Sequence, residues 1–248
     1  MVQVPQRTTP GAPALVRLLA RLAQLDVAEP GQSLADRLGQ WLSWTDAITL
    51  SSALSTRAPA APAHADARSA GDDAERICAR VRTALTNAIA GASGVVSGGG
   101  RRTASRAPVR RNTADPVPEF AVFRQDYLTV QQTMQTDIGL LRERLRRQLM
   151  ARTPELARLA VLDASLERAL DARERALLAT VPTLLGAHFE RLREAGQQMQ
   201  ADVSEAAMPA AARAWLGQFR QDMQRILLAE LEIRFQPIAG LLAALRTC

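Results

Sequence analysis

Lysine is absent from this sequence, aromatic residues make up only 4% of it, and there are just two cysteines and two histidines. Each scarcity excludes something. Sheet surfaces are filled by aromatic and β-branched side chains, so one Tyr, three Trp and five Phe in 248 residues argue against a β-sandwich or barrel. Two cysteines, Cys78 and Cys248, cannot make a disulfide framework or a four-ligand metal site, and a reducing compartment fits them. His64 and His188 belong to no H-E-x-x-H or Cys/His spacing, so no zinc site is read. Long apolar runs are missing too. Arg17 and Arg21 interrupt the first leucine-rich segment, and no stretch has the length and apolarity of a signal core or a membrane span. The expectation is a cytoplasmic protein with no transmembrane segment and no cofactor.

What is abundant is Ala, Leu and Arg, the residues of helices, and the fold class expected is all-α. The length suits one or two domains. All 31 basic residues are Arg, and the net charge is +6. Missing lysine and excess alanine are the mark of GC-rich coding, so the pI near 10.9 does not by itself signal nucleic-acid binding. Position is more informative. Residues 57–118 carry ten arginines against five acids, whereas the flanking regions are close to balanced.

Three regions follow. In 1–56, a small N-terminal helical module, Leu15, Leu18, Leu19, Leu22 and Leu25 recur at helical spacing. After Pro30-Gly31, a second helix is expected to run from a Ser33 cap to about Ser55, with Leu34, Leu38, Trp41, Leu42, Thr45 and Ile48 on one stripe and Trp44 off it. Region 57–118 reads as a mostly disordered Arg/Gly/Pro-rich connector. It holds one short helix near 73–90, on Ile77, Val81, Leu85 and Ile89, which Gly91 ends.

Region 119–248 reads as an antiparallel coiled coil or helical bundle of long helices. Phe123, Tyr127, Val130, Met134, Ile138, Leu141, Leu145 and Leu149 define one seam in steps of three and four. Thr153-Pro154 caps the next helix, which must fold back beside the first. Its seam is read as Leu156, Leu159, Leu162, Leu166, Leu170 and Leu177, continuing through Val181, Leu185, Phe189 and Leu192. Pro182 lies inside that pattern and is expected to kink one continuous helix rather than turn it. Kinked, the four segments make an elongated layered coiled coil; turned, a compact four-helix bundle. Pro209 separates the last helix, which carries Trp215, Leu216, Phe219, Met223, Ile226, Leu227 and Ile233 up to Pro237.

No residue set identifies a reaction. There is no G-x-S-x-G, the glycine run at 98–100 is no P-loop because neither a lysine nor a strand accompanies it, and the acids mostly sit three or four residues from an arginine. Glu143 with Arg147 and Glu230 with Arg234 are read as solvated helix faces. Two patches stand out. W-L-S-W-T-D-A-I-T-L holds Trp41, Trp44 and Asp46, and is either a core anchor or a partner-binding face, with Asp46 available to an indole N–H or a partner arginine. The cluster Arg101, Arg102, Arg106, Arg110 and Arg111 is either a solvated linker or a weak anion site for nucleic acid or an anionic surface. No aromatic stands among these arginines to stack a base.

The segments QSLADRLGQWLSWTDAITLSSAL, FAVFRQDYL and LARLAVLDASLERALDARERALLATVPTLLGAHFERLR are similar to those of a proteobacterial family of unknown function, over residues 12–56 and 119 to about 200. The resemblance implies no catalytic residues. It implies an accessory role beside an envelope-associated complex of the flagellar-stator-like or peptidoglycan-anchoring type. The expected function is a non-enzymatic scaffold or adaptor presenting helical surfaces to a protein partner, a second copy of the chain being one candidate. Nucleic-acid or anionic-surface binding through Arg101–Arg111 is the alternative.

Overall fold

The apolar steps of three and four become one buried helical face after another. The computed structural model describes residues 13–25, 34–55, 67–94, 118–201 and 208–247. Among these the regular elements are all helices: α1 Ala14–Ala23, α2 Leu34–Trp41, α3 Trp44–Ser55, α4 Ala67–Ala92, α5 Phe120–Met150, α6 Pro154–Leu178, α7 Val181–Ala201 and α8 Met208–Arg246. The protein is all-α over this range, as its composition demands.

The centre is a trio of α4, α5 and α8. On α5 the residues that bury are Phe123, Tyr127, Val130, Met134, Ile138, Leu141, Leu145 and Leu149, the seam expected from the spacing. They meet Phe219, Met223, Ile226, Leu227 and Leu231 of α8, and Ala74, Cys78, Leu85 and Ile89 of α4. Burying each large side chain is worth about 1.5–3 kcal/mol, so this core supplies the main driving force. α5 and α8 run in the same direction. Phe123 lies beside Phe219 near one end, Gln131 bonds Glu230 midway, and Arg152 Nη1 donates to the Leu245 carbonyl at 2.9 Å at the other. α4 runs the opposite way, its Arg82 paired with Glu232 and its Glu75 with Arg246.

α6 returns beside α5 as the Thr153-Pro154 signature requires. Thr153 Oγ1 accepts from the Leu156 amide at 3.3 Å, and Pro154 stands at the first helical positions, where no N–H is needed. α7 continues in the same sense: Asp163 of α6 faces Arg142 of α5, while Gly186 of α7 lies against Phe120 at the far end of α5. α1 packs Leu15 and Leu22 against α7 and α8, and the Arg191 guanidinium of α7 donates to the Leu22 carbonyl.

Several expectations are corrected. The helix foreseen from Ser33 to Ser55 is two, because Ser43 and Asp46 cap a fresh start at Trp44. The helix near 73–90 runs from Ala67 to Ala92, so Gly91 does not end it, and the chain turns at Gly94, with φ 63°. Pro182 does not sit inside one kinked helix. It lacks the amide and would crowd the carbonyl of Leu178, so α6 ends there, Ala179-Thr180 intervene, and α7 restarts with Pro182 in its first turn without reversing. Pro237, by contrast, is carried within α8.

The leucine seam of α6 is also displaced. Leu156, Ala157, Ala160 and Ser165 bury, whereas Leu159 is 36% and Leu177 57% exposed. The reason is that α6 packs mainly against α5 and α3 on different sides, with a lighter contact to α8, and small residues permit the close approaches.

Candidate functional site

The Trp41–Leu50 patch divides into an inward and an outward half. Trp41 closes α2, half-buried, with the Arg173 guanidinium of α6 lying 4.6 Å from the ring centre. That stacking, together with the α3–α6 contact, fixes the patch on the surface of α6. Trp44, off the stripe, is 81% exposed, and Ile48 one turn on is 51% exposed. Asp46 serves the chain itself. Its carboxylate accepts from the Ser43 amide at 3.0 Å and from Ser43 Oγ at 2.6 Å, while Ser43 Oγ accepts from the Asp46 amide at 3.2 Å. This is a reciprocal capping box with aspartate in place of the usual glutamate. The Ser43 bonds hold the Asp46 carboxyl below the usual carboxylate range.

A second feature is a cleft of about 380 Å³ between α5, α6 and α8. Ile138, Leu166, Leu170 and Ile233 give it apolar walls, and charged side chains close it at both ends. At one end Arg142 grips Asp163 through two bonds, Nε at 2.8 Å and Nη2 at 2.7 Å, and reaches Glu167 at 3.2 Å; Arg146 bonds Glu167 at 2.6 Å. Burial opposes the charge on Arg142, but the bonds and charges of Asp163 and Glu167 outweigh it and raise its pKa above the ordinary arginine value. At the other end Arg234 binds Glu230 at 2.9 Å and Glu174 at 3.2 Å.

Glu230 corrects the expectation of a solvated face: it is fully buried. Its carboxylate takes the Tyr127 hydroxyl at 2.7 Å, the Gln131 amide at 3.0 Å and the Arg234 guanidinium. Burial, followed by the Glu230 charge, pushes the Tyr127 phenol far above its ordinary pKa. The site can hold helices in register. Its carboxylates are each met by arginine, so the arrangement offers shape and an ordered charge pattern, with no pair of free acids converging on a point.

His188 pairs with Asp222 across α7 and α8, Nε2 to Oδ2 at 3.1 Å, against an aromatic group of Phe120, Phe123, Phe189, Trp215 and Phe219. Among the described residues no group of three or more His, Cys, Asp or Glu is placed to hold a metal ion, and no helix is long and apolar enough to cross a membrane. His64 and the arginines Arg101, Arg102, Arg106, Arg110 and Arg111 lie outside the described residues.

The charged ties between α5 and α6 were missed in the sequence. Their signal was there: Arg142 and Asp163 stand about equally far from the Ala151–Thr153 turn, which an antiparallel hairpin brings opposite each other. Comparison with curated proteins and with solved structures finds no match for the chain. Comparison with family models does: the chain belongs to a family described as a protein of unknown function (DUF3348), matched over residues 1–247.

Proposed function

We propose that this protein is a non-catalytic scaffold or adaptor of the cytoplasm, and that α3 carries the surface it offers to a protein partner. The observation that supports the reading is Trp44, 81% exposed on a helix fixed by its own capping box and by contact with α6. A tryptophan side chain that passes from water into an interface removes about 150–250 Å², worth about 4–6 kcal/mol before ordering costs. Trp and Tyr dominate the energetics of interfaces for this reason. Ile48 and Leu54, 51% and 62% exposed, extend the apolar character of the same helix.

The test is Trp44→Ala in the full chain. Because the side chain is mostly in water, unfolding stability should stay within about 0.5 kcal/mol of the parent. A protein that co-purifies at high salt should be lost. If the substitution instead collapses thermal stability, Trp44 is a core anchor; if it changes neither stability nor retention, α3 is not the surface.

A further inference from the structure

We propose that the groove bounded by α3, α5 and α6 is the partner's docking site and that its occupant is an acidic amphipathic helix, an inference that rests on the scaffold reading and names the chemistry of the partner. The groove is open to solvent along one side and offers about 530 Å³. Between α3 and α6 its lining is small, made by Ala53 of α3 and by Ala160 and Ala164 of α6. Met150 and Val161, 51% and 41% exposed, supply the apolar edges.

The rim is basic. Arg146, Arg147 and Arg168 line it against a single acid, Glu143. Arg146 is already occupied by Asp163 and Glu167. Arg147 meets Glu143 only at 4.0 Å, with both side chains more than half exposed, and among the described residues Arg168 has no acidic partner. Two guanidinium groups are therefore available beside an apolar trough. Carboxylates three or four residues apart on one helix face, with leucines on the next, match that pattern. A phosphate backbone would satisfy the arginines but leave the apolar trough without a counterpart. The exposed side of α3 lies beside it, since Ser52 on the groove wall is one helical turn beyond Ile48 and two beyond Trp44.

The probe is a fluorescent synthetic peptide of roughly five helical turns, glutamates on one face and leucines on the other, titrated into the full chain and followed by anisotropy. Saturable binding is expected, weakened about tenfold or more by the double substitution Arg147→Glu/Arg168→Glu, by replacing the peptide's glutamates with glutamine, and by raising the salt to several times the physiological level. Arg124→Glu, on the opposite end of α5, should leave it unchanged. Both arginines are exposed, and thermal melting checks that the double variant folds. The proposal is overturned if the peptide does not bind or binds the double variant equally well. It is also overturned if the double substitution instead abolishes self-association in solution or retention on phosphatidylglycerol vesicles, outcomes that would assign the groove to a second copy or to a lipid surface. Failure of the parent chain to bind the peptide, with Trp44-dependent co-purification intact, would defeat this inference and leave the scaffold reading standing.

Discussion

Gly196 and Gly217 should respond to alanine in opposite directions, and the difference measures how closely α7 and α8 approach. Both are helical, and glycine in a helix interior costs about 1 kcal/mol relative to alanine. A methyl at Gly217 would meet nothing within 4 Å, so Gly217→Ala should raise stability by up to about 1 kcal/mol. A methyl at Gly196 would fall 2.5 Å from Trp215 Cδ1 and 3.0 Å from Cγ, where carbon atoms prefer about 3.5–4.0 Å. Turning the indole about its Cβ–Cγ bond can carry Cδ1 away but leaves Cγ in place at 3.0 Å, so the overlap is relieved only in part. Phe189 packs against the same ring, with ring centres 5.2 Å apart and planes at 76°, so any movement of Trp215 disturbs that contact as well. Overpacking costs about 1–3 kcal/mol and a 2.5 Å overlap belongs in the upper part of that range, about 2–3; the helix-propensity gain returns about 1, leaving Gly196→Ala destabilised by about 1–2 kcal/mol. At 2–4 °C per kcal/mol for a chain of this size, its melting temperature should fall by about 2–8 °C while that of Gly217→Ala rises by a few degrees. Far-UV circular dichroism on heating reads both. A Gly196→Ala protein that melts at or above the parent temperature would refute the close packing of α7 on Trp215.

Two further outcomes concern buried groups. Glu230→Ala removes the shared acceptor of Tyr127, Gln131 and Arg234, leaving Arg234 with Glu174 alone, and should cost about 3–5 kcal/mol in denaturant unfolding. A loss below about 1 kcal/mol would mean that solvent already reaches this carboxylate. Cys78 is buried on α4, and desolvation pushes its thiol up to about 11 from an ordinary 9. At pH 8 it should hold about a hundredfold less thiolate than an exposed thiol, so in a Cys248→Ala background it should resist thiol reagents until denaturant unfolds the chain. Rapid labelling in native buffer would place α4 outside the core.

The parts of the fold that were legible are those where one helix face meets one neighbourhood. α5 buries its whole seam from Phe123 to Leu149, because a spacing of three and four has only one way to be hidden when the other faces are polar. The Thr153-Pro154 start was equally plain, since its chemistry is local. Other features depended on partners distant in the chain. Nothing around Glu230 distinguishes it from the exposed Glu143, which also has an arginine four residues on; only the approach of α5, bringing Tyr127 and Gln131, buries it. The direction of α8 alongside α5 was hidden for the same reason, because a seam on one helix does not say which other helix lies beside it.

The candidate surface was half legible. Trp44 stood off the stripe in the sequence and stands in water in the structure, while Asp46, offered there as a partner ligand, is used by Ser43 in the capping box. What the sequence concealed was the role of α6. A helix that serves only as one arm of a hairpin needs one leucine stripe, but α6 bears α5 on one side and α3 on another. Its alanines take the close approaches, Leu166 and Leu170 line the cleft, and Leu159 and Leu177 are left toward water. The hold on α3 is correspondingly light. Ala53 is the residue of α3 that is buried, whereas α5 buries eight large side chains. Elements with few buried apolar contacts occupy the low end of a protein's local stability range. α3 therefore depends on α6 for its place, while its capping box keeps it helical, so its outward side stays in water beside the groove instead of being drawn into the core.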